Sequence, residues 1–205
     1  MKKRNTKEEI QKVALDLFST QGYEATSMSQ IADAIGICKA SLYSHFNSKQ
    51  EILDSIINKV LDEYDNKSIF YQKKETDSID YSKVVDRITS DIKKQIKYII
   101  HENLISKGRK MLTIEQFRNP LLSSLQTKQN YSDVMSYYTQ LMTKLIDQEI
   151  LCKNDPQIMA AQFCLPITVW INLCDREPNR EDEVMELIDK HIKQFFAIYQ
   201  SRAKE

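Results

Sequence analysis

Residues 26–49 read TSMSQIADAIGICKASLYSHFNSK, and this stretch predicts two short helices joined by a tight turn. Ser27 and Gln30 lie three residues apart before an apolar set, so each side chain can satisfy an unpaired backbone amide near the other as a capping box. Gly36 supplies the left-handed conformation that other residues adopt only at a cost. A second helix is expected over residues 39–46, which completes a helix-turn-helix.

The second helix of this motif has only a narrow apolar stripe. Leu42 and Phe46 are four residues apart and anchor that stripe. The polar side chains that point elsewhere are Lys39, Ser41, Tyr43 and His45. A helix this short is marginal alone, because nucleation costs more than so few hydrogen bonds return. The major groove of B-DNA accepts such a helix, so the pattern favours a DNA-reading element.

The motif resembles the DNA-binding signature of the TetR family of bacterial transcriptional regulators, in the string IADAIGICKASLYSHFNSKQEIL with Gly22 and Tyr23 just before it. The resemblance covers about residues 7–61 and is carried by the spacing of the IA pair, the glycine turn, the LY pair, Phe46 and Lys49. The rest of the chain matches only in helical layout. The resemblance implies a homodimer with an all-helical ligand-sensing domain, in which a small molecule releases the operator.

The resemblance also implies roles for single residues of the motif. Tyr43 and Lys49 match phosphate-contacting positions, and Ser27 matches the hydroxyl residue at the start of the first motif helix. The residues expected to face base edges are Lys39, Ala40, Ser41 and His45. Cys38 replaces the usual Ser or Thr cap and Ala40 replaces a frequent Gly, which leaves the bases read open. The alternative is that Tyr43 and His45 only cover the first helix of the domain.

Composition limits the classes of protein that the chain can belong to. It has 205 residues, 41% hydrophobic and 28% charged, with a formal net charge of +0. A neutral chain is not a general nucleic-acid coat, but a regulator needs basic groups only locally. The basic start MKKRNTK is either a frayed terminus or an arm that reaches a minor groove. No signal peptide and no stretch near the length of a membrane span are expected, so we expect a cytoplasmic protein without a membrane partner.

No cofactor, metal site or catalytic site is expected. The cysteines have no CxxC pair and no histidine at zinc-finger spacing, and they are Cys38, Cys152, Cys164 and Cys174. His101 lacks the second histidine of the zinc-protease motif, and neither a phosphate loop nor a G-x-S-x-G elbow occurs. We therefore predict that the protein is not an enzyme. Redox sensing through Cys38 is a hypothesis, because a helix N-terminus lowers the pKa of a thiol.

Apolar periodicity predicts an all-α fold with two domains. Beyond the motif and the helix that follows it, helices are expected at about residues 6–21, 81–106, 109–118, 121–127, 131–151, 156–174 and 180–199. Residues 1–63 are predicted to form a three-helix DNA-binding domain, with the helix-turn-helix at about 27–46. Residues 64–205 are predicted to form a larger helical domain for effector binding and dimerisation.

The long C-terminal helices carry the candidates for an effector pocket and for a dimer interface. The pocket candidates are Met111, Phe117, Tyr138, Met142, Phe163 and Trp170, with Glu102 and Glu115 as acidic neighbours suited to a lipophilic cation. The interface candidates are Phe163, Ile167, Ile188, Ile192, Phe195 and Phe196, which would form a four-helix bundle with a second copy. The alternative for both sets is plain core.

The leading interpretation is a dimeric regulator that binds double-stranded operator DNA and is released by an unknown small-molecule effector. One alternative is an all-helical protein-interaction module that uses the helix-turn-helix only as a scaffold. Another is a helix-turn-helix protein without any ligand.

Overall fold

The computed structural model describes residues 6–67 and 81–201, which form ten α-helices in the described ranges. They are α1 (Thr6–Gln21), α2 (Met28–Ile35), α3 (Lys39–Tyr43), α4 (Lys49–Lys67), α5 (Tyr81–His101), α6 (Asn103–Glu115), α7 (Pro120–Thr127), α8 (Asp133–Asp147), α9 (Pro156–Arg176) and α10 (Glu181–Tyr199). A π-helical turn at Lys128–Ser132 precedes α8, and a 3-10 turn at Pro178–Arg180 precedes α10. No strand occurs in these ranges, and the all-α prediction is confirmed.

The chain divides into two compact units. The first comprises Met1–Lys67 and Asn103–Gln126, and the second comprises Ser68–Glu102 and Thr127–Glu205. This grouping differs from a simple division after residue 63, because α6 packs against α1 and α4. The assignment of separate functions to an N-terminal and a C-terminal domain stays a prediction.

The first unit has a hydrophobic core built by α1, α2, α3 and α4 and extended by α6. Its most deeply buried side chains include Ile10, Phe18, Ile31, Leu42, Phe46, Ile52, Leu53, Ile56 and Ile105. At the start of α4 the Ser48 hydroxyl oxygen accepts from the Glu51 amide at 3.1 Å. The short α3 is therefore held by its neighbours, which offsets its weak intrinsic stability.

Several helix boundaries differ from the prediction. Gly108 was expected to interrupt a helix, but it lies inside α6, and the break falls at Glu102 instead. A side-chain carbon built on Gly108 would lie 3.0 Å from both methyl groups of Val60. Glycine at this position therefore lets α6 approach α4 closely, a tertiary reason that periodicity does not reveal. The α3 helix also ends at Tyr43, before the expected Phe46.

The second unit has its own core between α5, α8, α9 and α10. The predicted start of α9 is confirmed, because the Asp155 carboxylate accepts from the amides of Gln157 and Ile158 at 2.9 and 3.2 Å, with Pro156 at the first helical position. A Lys93–Asp189 ion pair at 2.7 Å joins α5 to α10. These contacts order the long helices around one apolar centre.

Helix α9 corrects the expectation that no stretch approaches the length of a membrane span. Within the described residues it is long and apolar enough to cross a membrane by length and composition. Its inner residues, among them Met159 and Phe163, are buried in the core of the second unit. A core helix of a globular protein meets the same test, so this single helix is weak evidence for a membrane.

Candidate nucleic-acid interface

The start of α2 and the turn after it have the geometry that the sequence predicts. The Ser27 hydroxyl oxygen accepts from the Gln30 amide at 3.2 Å, and the Gln30 side-chain oxygen accepts from the Ser27 amide at 2.8 Å. Gly36 adopts a left-handed conformation with φ of 77°. Its amide donates to the carbonyl oxygens of Ala32 and Asp33, which ends α2. The predicted helix-turn-helix is present.

Helix α3 turns its apolar stripe inward and its other side outward. Leu42 and Phe46 are 0% and 1% exposed, whereas the Tyr43 side chain is 49% exposed. Lys39 and Ala40 are also exposed. The predicted residues with intermediate exposure are Ser41 and His45, and Ser27 at the start of α2 is exposed. The exposure of Tyr43 disfavours the alternative in which it only covers the first helix, while contact with DNA stays a prediction.

Lys49 has a different role from the predicted phosphate contact. Its ammonium donates to the carbonyl oxygens of Tyr23 at 2.7 Å, Thr26 at 2.8 Å and Glu24 at 3.4 Å. The same nitrogen lies 4.1 Å from the centroid of the Tyr23 ring. An ammonium has three donors, and here all three point at the loop between α1 and α2. Lys49 therefore braces this loop, and the prediction that it contacts phosphate directly needs this correction.

Tyr23 is the centre of the loop and was not predicted as a site residue. Its ring packs edge-on against Phe18, with centroids 5.3 Å apart, and its hydroxyl donates to Gln50 at 3.1 Å. Burial is the main cause that raises the pKa of Tyr23, followed by the nearby carboxylates of Glu24, Asp54 and Glu115. The hydroxyl is thus neutral and acts as a donor. The signal in the sequence was its place beside Gly22 in the resemblance, which does not reveal these partners.

Glu115 is a buried carboxylate at the end of α6. It is 1% exposed, and its Oε1 atom accepts from the Tyr23 amide at 2.8 Å. Its Oε2 atom is buried and has no hydrogen-bond partner among the residues that the structure describes. Spacing alone could not identify this contact, because Tyr23 and Glu115 are far apart in sequence.

The six predicted pocket residues do not share one compact unit. Met111 is buried on α6 in the first unit, and Phe117, just after α6, is 91% exposed and lines no interior site. Tyr138, Met142 and Phe163 are buried in the core of the second unit, where the rings of Tyr138 and Phe163 lie 5.2 Å apart. Periodicity identified apolar positions but not the space between them.

A cavity of ≈ 310 Å³ in the second unit is formed by α5 and α10. Its lining residues are Lys93, Lys94, Lys97, Glu181, Asp182 and Met185. None of the predicted pocket residues lines this cavity. Its lining is charged, whereas sites for drug-sized ligands are mostly apolar.

The predicted dimer residues lie on the core-facing sides of the last two helices. Their exposed fractions are 0% for Phe163, 5% for Ile167, 0% for Ile188, 0% for Ile192, 5% for Phe195 and 1% for Phe196. Both helices use this side for the core of their own unit, because α9 and α10 pack on each other and on α5. The large apolar side chains that stay exposed on these helices are Ile158, Leu165, Val169 and Ile198.

Comparison with known proteins agrees with this geometry. The family model described as "Bacterial regulatory proteins, tetR family" matches residues 10–56. The biofilm operon icaADBC HTH-type negative transcriptional regulator IcaR of Staphylococcus aureus (strain Newman) is 39% identical over 74 residues, which are 36% of this chain and 40% of IcaR. The chain thus matches less than half the length of this curated relative.

Two solved structures resemble nearly the whole chain. SmeT, the repressor of the Stenotrophomonas maltophilia multidrug efflux pump SmeDEF, has a TM-score of 0.65 at 18% identity, covering 96% of this chain and 91% of SmeT. The flavonoid-responsive regulator FrrA has a TM-score of 0.60 at 22% identity, covering 96% of this chain and 98% of FrrA. At these identities the likeness shows a shared fold. The family match contains the helix-turn-helix, so this region resembles the tetR family of bacterial regulatory proteins, and nearly the whole chain shares its fold with the two solved regulators.

Proposed function

We propose that this protein is a ligand-responsive, DNA-binding transcriptional repressor that acts as a cytoplasmic homodimer. The observation that carries the proposal is the outward face of α3, where Lys39, Ala40 and Tyr43 are exposed beside the buried anchors Leu42 and Phe46. An exposed short helix with polar groups suits the major groove. IcaR is a negative regulator by name, which supports repression.

The residues on this face have separable expected roles. The Tyr43 hydroxyl suits a phosphate oxygen, which fixes register without reading sequence, whereas Lys39 suits an acceptor on a base edge. A dimer would place two copies of α3 in successive major grooves, about 34–36 Å apart for one turn of the duplex.

Binding to the duplex upstream of the protein's own gene, measured by fluorescence anisotropy, tests the proposal. We expect Tyr43→Phe to weaken binding to all operator variants alike, and Lys39→Ala to change the preference among them by about 1–3 kcal/mol per base pair. Lys190→Ala is a matched control, because it removes the same charge from an exposed lysine of the second unit. Binding that is absent at low salt, or a Tyr43→Phe protein with altered preference and no general loss, would contradict these assignments.

The exposed apolar side of α9 and α10 supports dimerisation with a second copy. Ile158, Leu165 and Val169 are spaced by seven and four residues, which places them on one face of α9 opposite the core. Ile198 is exposed on α10. This face replaces the predicted set of buried residues. A stable interface between two copies would need to bury at least about 1,200 Å² in total.

A small-molecule effector is proposed for the second unit. FrrA is flavonoid-responsive by name, and its shared fold supports a ligand-responsive role here. Ligand and DNA must weaken each other's binding equally, typically by about 1–3 kcal/mol. A screen that measures both thermal shift and release of fluorescent operator tests this, and compounds that shift melting but release no DNA would contradict the coupling.

A further inference from the structure

One face of helix α6 contacts the other helices of the first unit. Near its start the Lys107 ammonium pairs with the Asp16 carboxylate on α1. One residue later, Gly108 packs against Val60 on α4. At its end, Glu115 accepts the Tyr23 amide. Lys107 and Glu115 are eight residues apart, and the buried Met111 lies midway between them, so these residues share one face of α6. Gly108 lies beside that face.

The Glu115 contact is unusually close and incompletely satisfied. Gly22 has φ of 91°, and a side-chain carbon built there would lie 2.6 Å from the Oε1 atom of Glu115. The position therefore requires glycine for both its conformation and its space. The buried Oε2 atom without a partner makes the contact costly, since desolvating a carboxylate is compensated here by one hydrogen bond to Oε1.

Tyr23, whose amide donates to Glu115, is linked by further contacts to both ends of the helix-turn-helix. Tyr23 supplies its carbonyl oxygen and its ring face to Lys49, the first residue of α4. Lys49 also holds the carbonyl oxygen of Thr26, and the Thr26 hydroxyl donates to the Gly22 carbonyl at 2.7 Å. The next residue is Ser27, the cap of α2. A displaced Tyr23 amide would therefore loosen the starts of α2 and α4.

An apolar side chain in place of Glu115 would avoid the cost of its unpaired oxygen. It would also leave the buried Tyr23 amide without an acceptor. Filling space in the core does not require a carboxylate. The presence of glutamate at position 115 is therefore explained by its role as hydrogen-bond acceptor for the Tyr23 amide.

We propose that Glu115 is a positioning residue for operator binding, which holds the α1–α2 loop through the Tyr23 amide and thereby sets the orientation of the helix-turn-helix. This inference rests on the proposed DNA-binding function. It makes the end of α6 part of the DNA-reading unit. Both ends of the Asn103–Gln126 segment continue into the second unit along the chain, so displacement of α6 would reach the motif by way of this contact.

The test compares Glu115→Leu, Glu115→Gln and Glu115→Asp, with Gln116→Leu as a control on the neighbouring residue. Leucine removes the acceptor, and we expect operator affinity to fall about tenfold. Glutamine keeps an acceptor and should restore affinity to within about twofold of the wild type. Aspartate keeps the charge but is one methylene shorter, so it should show an intermediate loss. Gln116→Leu should bind as the wild type does.

Hydrogen exchange of the free proteins, followed by mass spectrometry, supplies a readout that does not depend on DNA. In Glu115→Leu and Glu115→Asp we expect faster exchange confined to residues 22–30, with the second unit unchanged. If Glu115→Leu does not fold, the operator affinity and loop exchange of Glu115→Asp, compared with those of Glu115→Gln, test the inference.

Unchanged affinity and unchanged loop exchange in the Leu or Asp variant would overturn the inference, as would a Gln variant as weak as the Asp variant. Failure of the proposed function is distinguishable, because the wild type itself would then bind no duplex. In that case unchanged loop exchange in the variants would still overturn the role of Glu115.

Discussion

The polar side chains of the helix-turn-helix divide into outward residues and residues that hold the loop. Tyr43 and Lys39 face outward, whereas the Lys49 ammonium donates hydrogen bonds to backbone carbonyl oxygens. We expect both kinds of residue to affect DNA binding, but for different reasons. Loss of an outward residue would remove a contact, and loss of a loop residue would displace several contacts at once.

The cysteines offer a prediction at the scale of single residues. Burial raises the pKa of the Cys164 thiol to about 11, so it is protonated as well as inaccessible at pH 8. Cys174 is also buried, and Cys38 is exposed. We expect iodoacetamide at pH 8 to modify Cys38 in the folded protein and to leave Cys164 and Cys174 unmodified. Mass spectrometry of tryptic peptides measures this.

Denaturation in urea is the control, because all cysteines should then react. Equal modification of Cys38 and Cys164 in the folded protein would contradict the burial of Cys164. The hypothesis that Cys38 senses redox state is separate and needs operator binding under oxidant.

At the scale of elements, close packing of α6 on α4 explains why a glycine lies inside a helix. Alanine would normally favour the helix by about 1 kcal/mol. At Gly108 its methyl group would meet both methyl groups of Val60 at 3.0 Å. The packing cost and the helix propensity therefore act in opposite directions.

We expect Gly108→Ala to lower the free energy of unfolding by about 1–3 kcal/mol, because overpacking outweighs propensity. Urea unfolding measures the change. The double variant Gly108→Ala/Val60→Ala should lose less free energy of unfolding than the two single variants lose together, since alanine at position 60 makes room for the new methyl group. Additive single changes, or a stabilised Gly108→Ala protein, would contradict the close contact.

The α5–α10 ion pair gives a pH-dependent prediction. Hydrogen bonds from Lys193 and Lys93 are the main causes that lower the pKa of Asp189. A carboxylate with a lowered pKa in the folded state stabilises the fold above its ordinary value near 4, and this contribution is lost as pH falls through the lower value. We expect Asp189→Asn to reduce stability at pH 7 by up to about 1 kcal/mol.

Thermal melting at several pH values measures this effect. The difference between Asp189→Asn and the wild type should shrink as pH falls below about 4. A difference that grows in acid would contradict the direction of the pKa shift.

At the scale of the whole molecule, α9 is apolar on two sides, one buried and one exposed. One side, with Phe163 and Ile167, is buried in the core. The other side, with Ile158 and Val169, is exposed at 55% and 62%. This double character also explains why its composition resembles that of a membrane span.

We expect Val169→Glu to shift the protein from dimer to monomer, because it places a charge in the centre of the proposed interface. Sedimentation equilibrium at micromolar concentration measures the assembly. Leu121→Glu is a matched control, since Leu121 is 51% exposed in the first unit. A Val169→Glu protein that remains as dimeric as the wild type, or a wild type that is monomeric, would contradict the proposed face.

The amino-acid sequence by itself determined the all-α class, the cap at Ser27, the start of α9 and the turn at Gly36, because these depend on interactions within a few residues. It also located the outward face of α3. Only the tertiary structure decided which side of α9 and α10 is core, where Lys49 points, and that Glu115 holds Tyr23. Periodicity reports that a face is apolar, but its partner depends on contacts between residues far apart in the chain.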